Sequence, residues 1–194
     1  MQKEILFATN NPHKLEEIRA IAGQHFRVLS LGDKNFKGDI PETSATIAGN
    51  ALQKARHIHA LLGCDCFADD TGLEVEALGG APGVHSARYA GENATYHDNV
   101  VKLLSALEGI SNRRACFKTV IALILNKQEY LFEGQVCGQI TTSLSGSGGF
   151  GYDPVFRPDG FDETFAEMSA EQKNSISHRA LATASLIDFL LRQV

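Results

Sequence analysis

The chain has 194 residues, which suits one domain, or one domain with a small lobe, whose core needs no covalent staples. With 43% hydrophobic and 21% charged residues it has the composition of an ordinary soluble globular protein. A net charge of −5 gives no electrostatic case for a nucleic-acid partner, so any positive charge meant for an anionic ligand must be concentrated locally.

No apolar run approaches the length of a membrane span, and the stretch MQKEILFATN is too short and too polar for a signal peptide. The expectation is a cytoplasmic protein. Cys64, Cys66, Cys116 and Cys137 form no CxxC pair and lie in or near strand-like runs, so all four are expected as reduced thiols. His57 and His59 are two apart on a predicted helix and diverge, which makes a poor metal pair.

In chain order, EILFAT (4–9) is a short apolar run and predicts a buried strand. A helix follows, with Asn11 as N-cap, Pro12 at the first helical position, a face of Leu15, Ile18 and Ala22, and Gly23 as its stop. FRVLSL (26–31) predicts a second strand, and a loop runs to about residue 45. A helix over 46–62 carries Ala48, Ala51, Ala55, Ile58 and Leu62 on one face and ends at Gly63. CDCFAD (64–69) is expected to be a strand that ends at the aspartates, LEVEAL (73–78) a strand or a short helix, with the alternation of Leu73, Val75 and Ala77 favouring strand, and GGAPG (79–83) a turn. Thr95 caps a helix of about 95–108, with Asp98 in its first turn. Two alternating runs, 115–126 and 129–141, predict an antiparallel hairpin around NKQ. After the glycine loop come a short VF segment, a helical turn near 169–174 and a last helix over 178–193. This order predicts an α/β protein with a mixed sheet and helices packed on it.

Four stretches carry chemistry. In FADDTG (67–72) two carboxylates are adjacent, and successive strand side chains point to opposite faces. Either one aspartate serves a metal or a water while its neighbour binds turn N–H groups, or the pair is an Asx turn that ends the strand. TNNPHK (9–14) joins a strand to a helix N-terminus, where N–H groups and Lys14 suit an anion; a plain helix cap is the other reading. SGSGGFGYDP (145–154) contains G-x-G-x-x-G at Gly146, Gly148 and Gly151, but Pro154 forbids the helix a dinucleotide fingerprint needs. What remains is a glycine loop delivering Phe150, Tyr152 and Asp153, two rings and an acid suited to a flat heteroaromatic ligand. Last, SHRA (177–180) puts His178 and Arg179 in the first turn of a helix, where cations oppose the dipole; a ligand or a solvated pair would explain them.

Together, Thr9, Asn11 and Lys14, the ET and NAxxKA pieces within 42–55, ADDTGLEVEALGGAPGVHSARYAG (68–91), GGFGYDPVF (148–156) and SHRA resemble the non-canonical purine nucleoside triphosphate pyrophosphatases, the inosine/xanthosine triphosphate pyrophosphatase family. The likeness runs from about residue 5 to 190. It implies an elongated α/β fold with a mixed sheet, two lobes and a central cleft, formed by one domain over 1–194 and assembled as a homodimer. It also implies Mg²⁺-dependent hydrolysis of ITP, dITP and XTP to the monophosphate and pyrophosphate. By resemblance, Thr9, Asn10, Asn11 and Lys14 form the triphosphate loop and Lys54 also reaches the phosphates. Glu42 and Asp70 are Mg²⁺ ligands, and Asp70 is the proton acceptor for the attacking water. Thr71 touches substrate, while Phe150, Gly151, Tyr152, Asp153, Lys173, His178 and Arg179 recognise the base. Three positions depart from the pattern: Asn10 where relatives often have Gly, Gly49 where many have Glu, and His85 in place of a commoner aromatic. None removes a proposed catalytic residue. A nucleotide-binding sensor on the same fold is the alternative.

Overall fold

The structure, a computed structural model, describes residues 3–193. Its elements are β1 (Lys3–Phe7), α1 (Pro12–Ala22), β2 (Phe26–Leu29), α2 (Ile47–Leu62), β3 (Cys66–Val75), β4 (Pro82–Gly83), α3 (Tyr96–Ala106), β5 (Arg114–Leu125), β6 (Gln128–Ile140), β7 (Phe156–Pro158), α4 (Ala170–Ile176) and α5 (His178–Arg192). The strands pair in the order β2-β1-β3-β5-β6-β7, with β4 on β3. β1 runs parallel to β2 and to β3, whereas β4 and β7 pair antiparallel with β3 and β6. The protein is therefore α/β with a mixed sheet, as its element order implies.

The chain divides into two compact units. The first holds residues 1–70, 119–134 and 178–194. Here α1 and α2 are the crossovers that parallel strands require. The expected face of α1 is buried at Ile18 and Ala22, and it packs with Ile5, Phe7, Val28, Phe67, Leu123 and Leu186 in one core. Phe7 and Phe67, on neighbouring strands, stack with centroids 4.6 Å apart. Gly134 on β6 matters for α5: a Cβ there would lie 2.0 Å from the His178 carbonyl oxygen, so only glycine lets the start of that helix sit so close.

The second unit holds residues 71–118 and 135–177. Its core gathers Leu73, Val75, Leu103, Leu107, Phe117, Val155, Phe156 and Phe165. The Phe117 and Phe156 rings meet edge to face at 4.8 Å, and the Phe156 and Phe165 rings are tilted by 43° at 5.1 Å. Thr95 and Asp98 form the expected capping box of α3.

Three expectations change. β3 does not end at the aspartates; it continues through Asp69, Asp70, Thr71 and Gly72 to Val75, and Glu76–Leu78 is a 3₁₀ turn. The Asx-turn reading of the pair therefore falls. Two charges persist inside the strand because each carboxylate has a cationic partner. The four cysteines are not all reduced: Cys116 and Cys137 form a disulfide, and Cys64 and Cys66 are free. The two-residue turn Asn126–Lys127, both with positive φ, makes Cys116 and Cys137 equidistant from the turn and so opposite one another across the hairpin.

Candidate active site

β1 leads through α1 to β2 on one side, and the chain then returns to place β3 on the other side of β1. In open α/β sheets such a switch point, outside the carboxyl ends of the strands, is where ligands bind. Phe7 is level with Phe67, and the Ala8 amide donates to the Phe67 carbonyl at 2.7 Å. Thr9–Lys14 and Asp69–Asp70 therefore emerge from adjacent strand positions.

Asp69 and Asp70 are 1% and 7% exposed. Strand alternation sends their side chains apart. Asp69 accepts from Lys14 Nζ at 3.0 Å and from Arg179 Nε at 3.0 Å. Arg179, also fully buried, gives its Nη1 to Glu17. Burial alone would push the Asp69 carboxyl up, but the charges of Lys14, Arg179 and Lys54 hold it well below the usual range. Burial also lowers the Lys14 ammonium, and Asp69 recovers only part of that.

Asp70 behaves oppositely. Burial pushes its carboxyl above the usual value; Lys54 and Lys14 pull it down, while Glu42 and Asp69 push it further up. Its Oδ1 lies 3.4 Å from Lys54 Nζ, and its Oδ2 accepts from Asn50 Nδ2 at 3.2 Å. Lys54 also pairs with Glu42. Burial would lower its ammonium, but Asp70, Asp69 and Glu42 together raise it. Glu42 and Asp70 thus converge on one positive charge.

The phosphate-loop residues are ordered by their own side chains. Thr9 Oγ1 accepts from the Asn11 amide at 3.1 Å, and Asn11 Oδ1 caps the amides of His13 and Lys14 at 3.0 and 3.2 Å. The N-cap expectation for Asn11 holds, and its side chain already occupies N–H groups that an anion could use. Asn10 donates to the Gly38 carbonyl at 3.0 Å, tying this loop to the segment that leads to Glu42.

The second unit carries another group. Asp153, 2% exposed, accepts on Oδ2 from the Phe150 amide at 2.7 Å and from Lys173 Nζ at 2.6 Å. Gly149 has φ +67°, and a Cβ there would fall 2.1 Å from that same oxygen, so the glycine is what lets the carboxylate hold the loop. Gly151 is also left-handed. Lys173 Nζ lies 5.0 Å from the Phe150 ring centroid, and the Tyr96 ring is 5.9 Å from it. Tyr152 is buried, donates to the Ser86 carbonyl at 2.9 Å, and burial pushes its phenol up. Thr71 is half-buried next to Asp70 on β3, and His178 is buried at the start of α5.

The structure therefore brings Lys14, Glu42, Lys54 and Asp70 into one charged cluster, and Phe150, Asp153 and Lys173 into one ring-and-acid group. Sequence reading missed Asn50, Glu17, Ser86, Tyr96 and Gly149. Asn50 had a signal: with Gln53 and Lys54 it forms a polar i, i+3, i+4 set on an alanine-rich helix.

Among the described residues no group of three or more His, Cys, Asp or Glu side chains is placed to hold a metal ion. Mg²⁺ does not require one, since it takes one or two carboxylates and completes its shell with phosphate oxygens and water. Two carboxylates already gathered around a cation, Glu42 and Asp70 about Lys54, fit that donor chemistry.

Residues 5–189 match the family model described as the Ham1 family. The chain is 57% identical over 190 residues to a dITP/XTP pyrophosphatase of Porphyromonas gingivalis, covering 97% of this chain and 98% of that one. It is 52% identical to a dITP/XTP pyrophosphatase of Flavobacterium johnsoniae, covering 96% and 97%. Among solved structures, the Staphylococcus aureus Ham1 protein superposes with a TM-score of 0.89 at 39% identity, over 99% of this chain and 100% of that one. A match along nearly the whole chain, in sequence and in fold, makes this protein a member of the Ham1 family.

Proposed function

We propose that the protein hydrolyses dITP, XTP and ITP to the nucleoside monophosphate and pyrophosphate, removing deaminated purines from the nucleotide pool. The observation that carries this is the Asp69–Asp70 pair: one carboxylate is locked to Lys14 and Arg179, and the other is held at Lys54 and Asn50 with its proton affinity raised. Asp70 is the group suited to take a proton from water. The water oxygen bonds to phosphorus, the α–β anhydride P–O bond breaks with its electron pair leaving on the departing pyrophosphate, and the water proton passes to Asp70. Glu42 and Asp70 would hold Mg²⁺, which supplies charge neutralisation to the triphosphate when bound. Lys14 and Lys54 stabilise the negative charge that develops.

Phe150 offers a ring to the base, and Asp153 and Lys173 offer a polar edge. Hypoxanthine and xanthine carry a 6-carbonyl acceptor where adenine carries an amine donor. A donor from Lys173 or nearby backbone accepts the first and faces the second donor to donor, a mismatch worth up to about 10⁴-fold. Thr9, Asn10, Asn11, Thr71, Gly151, Tyr152, His178 and Arg179 complete the substrate set in this reading. The enzyme is read as a cytoplasmic homodimer, which the family likeness supports.

The test is product analysis with Mg²⁺ and ITP or ATP in parallel, with Asp70→Asn as control. IMP plus pyrophosphate from ITP, little turnover of ATP and loss in the variant are the expected results. Binding of ITP, dITP and XTP without hydrolysis of any of them would overturn the reading in favour of a nucleotide sensor.

A further inference from the structure

We propose that Asn50 is the positioning residue for Asp70, and that with Gln53 it clamps the segment bearing Glu42 against α2. The inference rests on the reading of Asp70 as the base. Asn50 is 1% exposed on the second turn of α2, and both ends of its amide are used. Its Oδ1 accepts from the Ser44 backbone amide at 2.8 Å, and its Nδ2 donates to Asp70 Oδ2 at 3.2 Å. The orientation of this amide is dictated by its partners. A backbone N–H can only donate, so Oδ1 must face Ser44 and Nδ2 must face the carboxylate.

One turn on, Gln53 repeats the arrangement. Its Oε1 accepts from the Thr43 amide at 2.8 Å, and its Nε2 donates to Thr43 Oγ1 at 2.8 Å. Residues 43 and 44, which directly follow Glu42, are thus held by two amides spaced i, i+3 on one helix face. Lys54, from the same face, bridges Glu42 and Asp70. Gly49 lies against the same segment. A Cβ at that position would meet Ser44 Oγ at 1.9 Å and Ser44 Cβ at 2.8 Å, so a side chain there would have to displace the Ser44 side chain. One side chain, Asn50, therefore links the backbone beside one proposed metal ligand to the carboxylate of the other, and fixes how Asp70 presents its Oδ1 toward Lys54.

Asn50→Asp separates the two contacts. It keeps the volume and the acceptor for Ser44 but replaces the donor to Asp70 by a second carboxylate oxygen. Losing an outer partner of this kind costs roughly 10–100-fold. The expected result is a fall of about that size in kcat for ITP, with KM changed less than about threefold. A second readout needs neither turnover nor metal. In metal-free ¹⁵N-labelled protein, Asp70→Ala should shift the Asn50 side-chain amide resonances and speed their exchange, leaving the Ser44 amide protected. Asn50→Asp with kcat within about threefold of the parent, or Asn50 resonances that ignore Asp70→Ala, would overturn the proposal. If the parent protein failed to turn over ITP at all, the functional reading would fall while the amide resonances still decided the clamp.

Discussion

Asp69 and Asp70, neighbours on an unbroken strand, face different cations: Asp69 is fixed between Lys14 and Arg179, and Asp70 stands between Lys54 and Asn50. The same backbone period that separates them separates their acidities, one carboxyl held down and the other pushed up. Two titratable groups driven apart by their surroundings are what acid–base assignment rests on. The two positions should therefore fail differently when altered.

Asp70→Asn removes the proton acceptor and should lower kcat for ITP by on the order of 10²–10⁴-fold, with the fold intact by circular dichroism. Asp69→Asn removes the common partner of two buried cations. It should destabilise the protein by about 3–5 kcal/mol in urea unfolding, as broken buried ion pairs do. Equal stability of the two variants would contradict this division.

The pH dependence follows from the same pair. Asp70 is also a proposed Mg²⁺ ligand, and its metal-free carboxyl is raised, so protons compete with the metal there and the Mg²⁺ concentration that gives half-maximal turnover of ITP should rise as pH falls. Asp69 affects stability instead. Its folded-state pKa is depressed, so its contribution is complete above the unfolded value near ~3.9 and disappears as pH falls through the folded one. Unfolding free energies measured from pH 7 downward should drop below pH ~4 in the parent and less steeply in Asp69→Asn.

How much of this was legible depends on how local the cause was. The Asn11 and Thr95 caps and the hairpin of β5 and β6 were readable because their partners lie close in sequence. The length of β3 was not. Adjacent aspartates suggest a strand end unless one knows that Lys14, Lys54 and Arg179 are waiting, and Arg179 is 110 residues away. The disulfide was not legible, because an NKQ turn would put Cys116 opposite Gly138, and only the two-residue turn Asn126–Lys127 sets it opposite Cys137. Resemblance supplied the candidate residues, but not Asn50 or Glu17, whose roles exist only through contacts at long range.

Arg179 shows that difference. The family resemblance implies a role at the base for it, and in the structure its Nε and Nη1 also donate to Asp69 and Glu17. Arg179→Ala should chiefly lower stability, and Arg179→Lys should not restore it, because one ammonium cannot reproduce a planar fork between two carboxylates. Selectivity is better tested at Lys173, whose ammonium meets Asp153 and the Phe150 ring. Lys173→Met should narrow the preference for ITP over ATP, measured as the ratio of kcat/KM values; an unchanged ratio would remove Lys173 from base recognition.

Tyr96 offers the most local test of the base-binding group. It is exposed at the start of α3, and its ring meets Phe150 at 5.9 Å with the planes tilted by 50°. Aromatic pairs of this kind contribute about 0.5–1.5 kcal/mol beyond area burial. If that contact holds the Phe150 ring ready for a purine, Tyr96→Ala should raise KM for ITP by roughly 2–10-fold with little change in kcat. Tyr96→Phe keeps the ring and should behave as the parent. A Tyr96→Phe variant as impaired as Tyr96→Ala would show that the hydroxyl, not the ring contact, is what matters, and Phe150 would then owe its position to Asp153 and Lys173 alone.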